Sequence, residues 1–159
     1  MCQTVKHLIL HVRDNFSRVF VSRMIEWEHA IGLFLFGLVL VMQPGLLWKA
    51  PGYAAFKTIH DSPSFWAISA MLVGATRFVI LFYNGTISRS PHLRAGAAML
   101  SAAFWLYAGL GSVIAGTLSP VTFMYLSFVA WEFVIFIICV RYAKLEDIGA
   151  VNRVVKHNP

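Results

Sequence analysis

"MLVGATRFVILF", Met71 to Phe82, sets an arginine at position 77 inside a run in which ten of twelve residues are apolar or glycine. In water this would be a core helix with a misplaced charge. In a bilayer the same run is most of a span, and the arginine needs a partner, a wet cavity or a route to the interface. Composition decides between the two solvents. Of 159 residues, 58% are hydrophobic and 13% charged, whereas soluble domains carry roughly 45 to 50% apolar and about 25% charged residues. The mean hydropathy of +0.70 agrees. So little polar surface cannot cover a water-facing domain, and the chain reads as all-helical and membrane-embedded.

Four apolar segments come close to the roughly 20 residues that a helix needs to cross the hydrocarbon layer. They lie at about 23–43, 65–83, 95–115 and 121–140, which predicts a four-helix membrane bundle. The first is the least clean. Its apolar part, Ala30 to Met42, is followed by Gln43, Pro44 and Gly45, so a full crossing must take in "EWEH", Glu26 to His29.

Lys and Arg distribution sets the threading. Lys6, Arg13, Arg18 and Arg23 precede the first span, Arg89 and Arg94 lie between the second and third, and Arg141, Lys144, Arg153 and Lys156 follow the fourth. Only Lys49 and Lys57 fall on the opposite side. Both termini are therefore expected in the cytoplasm, with residues 141–159 as a basic tail. The net charge of +6 is distributed between spans rather than gathered in a domain, which argues against nucleic acid as a partner.

Residues 1–24 lack a cleavable signal peptide's pattern. Val5, Leu8, Ile9, Val12, Phe16, Val19 and Phe20 recur at helical spacing, with His7, His11, Asp14, Arg18 and Ser22 opposite them. This is an amphipathic helix, suited to anionic lipid at the cytoplasmic face or to a partner protein. Lys6, Arg13, Arg18 and Arg23 are its expected lipid-interface cations. Trp48 and Trp66 are the expected aromatic anchors on the other side, where a short interfacial or re-entrant helix around Tyr53 to Ile59 is also expected.

Glu132, in "VAWEFVIF" of the fourth span, lies at nearly the depth of Arg77, and the two spans run in the same direction. Arg77 could instead extend its stem to the interface. Glu132 is too short for that, and unpaired it would take up a proton. Glu28 and His29 extend the candidate buried cluster, because Glu28 shares a face with Gly32. Glu26 points about 160° away from Glu28 and is expected at the water interface. The cluster Glu28, His29, Arg77 and Glu132 reads either as a device fixing helix register or as a site for a proton or small ion.

Ala95, Ala98, Ala102, Gly109, Ser112 and Gly116 form a small-residue face on the third span. It permits close helix packing, within one chain or between copies in a homo-oligomer. Cys2 and Cys139 have no redox or metal-binding spacing around them. The absence of paired membrane histidines, phosphate loops, HExxH and nucleophile elbows lowers the expectation of an enzyme, and no catalytic residue, metal or cofactor is expected.

"GATRFVILFYNG", Gly74 to Gly85, with "RMIEWEHAIGLFLFGLVL", Arg23 to Leu40, and the basic loop before the third span, resembles small, mostly uncharacterised membrane proteins of tailed bacteriophages. The resemblance brings no catalytic residues. It implies a bacterial inner-membrane location and a lysis-related or infection-related role. Three functional classes follow: a self-associating, holin-like or membrane-structural protein; a proton- or ion-coupled transporter or channel using Arg77 and Glu132; and an accessory subunit of a larger membrane complex.

Overall fold

The computed structural model describes residue 20 and residues 23–49, 56–57, 60–86 and 90–157. The described residues form helices and turns, with no strand. The helices are α1 (Met24–Met42), α2 (Leu46–Lys49), α3 (Pro63–Thr86), α4 (Pro91–Ile114) and α5 (Pro120–His157). Four of them, α1, α3, α4 and α5, are long and apolar enough to cross a membrane. The chain is a small multi-pass membrane protein built as a four-helix bundle.

Local sequence explains where these helices start and stop. A Ser-Pro pair opens α3 (Ser62-Pro63), α4 (Ser90-Pro91) and α5 (Ser119-Pro120). Proline suits a first helical position, because the missing N–H would have no partner there and the fixed φ is already helical. Gly116 ends α4 with φ +68, while its N–H bonds Val113 O and the Thr117 N–H bonds Ser112 O, each at 3.0 Å. This pair of bonds caps the last turn, and the left-handed conformation favours glycine at that position.

The spans are packed as two tight pairs. α1 lies along α3 and α4 along α5, while α3 and α4 touch more sparsely. Glycines bring the first pair together. A Cβ added at Gly74 would stand 2.7 Å from Phe34 N and 2.9 Å from Ala30 O, and one at Gly37 would meet the Met71 backbone at 2.8 Å. In the second pair, a Cβ at Gly109 would stand 2.9 Å from Leu126 Cδ2, and Ala95 and Ala98 pack on Ile135 and Cys139.

Long side chains join the two pairs. In the half of the bundle away from the termini, Phe36 meets the rings of Phe104, Trp105 and Tyr125 edge-on, and Trp66 stacks on Tyr107 at 5.6 Å. Outside, Leu72, Val79, Phe123 and Ile137 are exposed on the apolar belt expected of spanning helices.

α5 continues without a break to His157, so the basic stretch that follows the fourth span is helical up to that residue. One sequence expectation changes here. Trp66 is not an interfacial anchor: it is buried, and its Nε1–H donates to Phe56 O at 3.1 Å and His60 O at 2.9 Å. A buried indole N–H needs such an acceptor, and the carbonyls of Phe56 and His60 provide two. The expected helix over Tyr53 to Ile59 and the Trp48 side chain fall almost wholly outside the described residues. The amphipathic arm, with Lys6, Arg13 and Arg18, falls outside them too, apart from Phe20, a helical residue whose ring packs on Trp27 at 5.6 Å.

Candidate functional site: two charge bridges between the helix pairs

The inward stripe of α1 runs Glu26, Trp27, His29, Ala30, Leu33, Gly37 and Leu40. On α3 the face shared by Ala70, Gly74, Arg77 and Asn84 is likewise buried, so Arg77 enters the bundle instead of reaching back to an interface. Glu132 comes from the middle of α5 and is wholly buried.

These elements place one carboxylate between two donors. Glu132 Oε1 accepts a hydrogen bond from His29 Nδ1 at 2.8 Å and a second from Arg77 Nη1. The partner given to Arg77 by depth matching is the one the structure supplies, and His29 joins it. Glu132 Oε2 is buried and makes no hydrogen bond among the described residues. Phe128, one turn before Glu132, sets its ring edge-on to His29 at 4.9 Å and packs against Trp105 at 5.0 Å, closing the aromatic side of the site.

A second bridge was not foreseen. Arg94, at the start of α4, donates from Nε to Glu26 Oε2 at 3.1 Å and from Nη2 to Glu26 Oε1. This two-point match is the geometry that guanidinium and carboxylate favour. Nearby, the Asn84 side chain ties the turn between α3 and α4, donating to Ile80 O and accepting from the Ser90 N–H.

The expectation for the two α1 carboxylates is reversed. Glu28 is exposed and joins neither bridge, while Glu26, expected at the water interface, is buried. The phase of the whole helix decides this. Glu26 lies on the stripe of His29, Ala30, Leu33 and Gly37, whereas Glu28 falls with exposed Ile31 and Leu35. Gly32, which had suggested an inward Glu28, is half-buried, and a Cβ there would face Trp105 at 3.8 Å. Arg94 could have been found from its spacing, since it lies one turn before Ala98 on the buried face of α4.

The small-residue face is used within the chain. Ala95, Ala98, Ala102, Gly109 and Ser112 are buried in the bundle, where α4 packs along α5. Gly116 does not share that face: it is exposed and forms the turn. Arg23, expected at the lipid interface, is the half-buried residue capping α1. Among the described residues no cluster of His, Cys, Asp and Glu could hold a metal ion.

Both bridges cross the same joint. His29 and Arg77 belong to the α1/α3 pair and Glu132 to the α4/α5 pair; Glu26 belongs to the first and Arg94 to the second. Chemically, the three-residue bridge sets one carboxylate against a guanidinium and an imidazole from the other helix pair. Ionised Glu132 holds two donors across the joint. Removing either partner would leave a buried charge without its counter-ion. Comparison of the chain with protein-family models, with curated proteins and with solved structures gives no match in any of the three.

Proposed function

We propose that this chain is a non-enzymatic, proton- or ion-coupled transporter or channel of the bacterial inner membrane, with both termini in the cytoplasm. The observation that carries the reading is the bridge His29–Glu132–Arg77, buried in apolar surroundings at the joint between two tightly packed helix pairs. Buried ionisable groups within spans mark proton and ion paths, because only a function or a partner offsets their cost. Transport by rocking one rigid bundle against another needs such a joint, with the coupling site inside it. The orientation rests on the Lys and Arg count, ten against two.

The test is proton entry into liposomes carrying the purified chain and an internal pH dye, under an imposed potential. Wild type is expected to admit protons, and Glu132→Gln to abolish entry while keeping the same yield and oligomeric state. Equal entry for the two proteins would refute the reading.

A holin-like or membrane-structural role is the second reading, supported by the phage-type layout around Gly74 to Gly85. The small-residue face of α4 no longer supports self-association, because α5 covers it. Abrupt loss of membrane potential at a fixed time after induction would favour this role. An accessory-subunit role would show as co-purification with fixed partners.

A further inference from the structure

Glu132 has a second carboxylate oxygen that the charge bridge leaves unused. We propose that this oxygen, Oε2, binds one trapped water molecule, which it shares with Ser101 and Trp105 of α4. The site deepens the transport reading, because it sets a water, the smallest proton carrier, against the carboxylate on which that reading rests. It also ties α4 into the joint, since the bridge itself draws only on α1, α3 and α5.

Three buried polar atoms without a hydrogen bond carry the argument: Glu132 Oε2, Ser101 Oγ and Trp105 Nε1. None of these residues is more than 2% exposed. Buried polar groups in proteins are satisfied as a rule, and where no protein group reaches them the partner is an ordered water. The three atoms come from two helices that packing brings to one level. α4 and α5 run antiparallel, and a Cβ at Gly109 would meet Leu126 and Tyr125. Ser101 lies eight residues before Gly109, about 12 Å along α4, and Glu132 lies six residues after Leu126, about 9 Å along α5. They match in depth to within about 3 Å. Ala95 and Ala98, packed on Ile135 and Cys139, continue the same register.

Trp105 follows Ser101 by one turn on the same face of α4. Long side chains on a helix lean back toward its N-terminus, which carries the indole toward Ser101. Its surroundings agree. Trp105 Cζ2, on the ring edge that bears Nε1, stands 3.8 Å from a Cβ placed at Gly32, one turn after His29 on α1. Phe128 packs on both His29 and Trp105, with ring centroids 4.9 Å and 5.0 Å away. The indole edge, the serine hydroxyl and the second carboxylate oxygen thus converge beside the His29–Glu132 bond.

The chemistry of the three atoms selects water. An indole N–H only donates, the ionised carboxylate oxygen only accepts, and a serine hydroxyl does either. A cation would face the indole N–H, and an anion would face the carboxylate. Water accepts from Trp105, donates to Glu132 and takes either role with Ser101, which makes the three bonds usual for a buried water.

The test is NMR of the purified full chain, isotope-labelled at tryptophan nitrogen, in a detergent without hydroxyl groups. Trp105→Phe identifies the Trp105 indole signal by its loss. In wild type that indole N–H should show an Overhauser contact at the water frequency. Ser101→Ala should keep the contact, because Glu132 and Trp105 still hold the water; this separates water from the serine hydroxyl as its source. Ser101→Val should lose it, since the added methyl groups take the water's place. No contact in wild type would overturn the proposal, as would its loss in Ser101→Ala or its survival at full strength in Ser101→Val. The outcome is separate from proton entry into liposomes: a chain that admits no protons yet shows the contact keeps the water site and loses the transport reading.

Discussion

Glu132 is the residue on which the interior depends, since a single oxygen of its carboxylate holds donors from two other helices. Truncating one member of such a bridge leaves a buried charge without its counter-ion, which costs about 3 to 5 kcal/mol in buried ion pairs generally. Arg77→Leu is therefore expected to lower thermal stability in detergent more than the double variant Arg77→Leu/Glu132→Leu, in which neither charge remains. An additive loss in the double variant would show that the two side chains do not interact. The α1 carboxylates give a sharper contrast. Glu26→Gln removes the charge that matches Arg94 and should destabilise by about 1.5 to 3 kcal/mol, whereas Glu28→Gln, on an exposed position, should stay within about 0.5 kcal/mol. Equal losses would place both carboxylates inside. At this scale the sequence was legible where depth alone decides: Arg77 and Glu132 could be matched because two parallel spans of known midpoint fix their levels. It misassigned Glu26 and Glu28 because these residues sit at the level where the span begins, so only the rotation of the helix separates them, and one neighbouring glycine is a poor guide to rotation.

At the scale of elements, the contact between α1 and α3 depends on the absence of side chains at Gly37 and Gly74. Gly74→Ala would push a methyl group against the backbone of α1, at Ala30 O and Phe34 N. Backbone cannot move aside as a flexible side chain can, so the pair must separate, and overpacking of this kind costs about 1 to 3 kcal/mol. Gly96→Ala is the control, because a Cβ there meets nothing within 4 Å. It is expected to be neutral or slightly stabilising, since alanine is the better helix former. Thermal unfolding of the two variants side by side checks the claim, and equal behaviour would contradict the close contact. The spans themselves were legible, because a run of apolar residues near membrane thickness has few other uses. The ends were less so. The fourth helix continues well past its apolar part, to His157, since Lys, Glu and Asp are good or adequate helix residues once a helix is already formed.

For the whole molecule, the division into two helix pairs is the feature that the sequence did not announce. Hydropathy gives the number of spans but not which spans pack most closely, and the partner of each depends on where small residues face each other. Glycines at 37 and 74 join the first pair; alanines at 95 and 98 join the second, where they face Ile135 and Cys139. The two pairs then meet through aromatic rings and through two bridges of opposite charge. The central claim is that the charge of Glu132 holds this joint closed. It is tested most directly by the distance between spin labels at positions 79 on α3 and 137 on α5, both exposed, measured by pulsed electron resonance in lipid nanodiscs at neutral pH, in a chain whose own cysteines are replaced. Wild type should give one distance population, and Glu132→Gln, which mimics the protonated acid, should add a second population of different separation. A single, identical distance in both proteins would contradict the account.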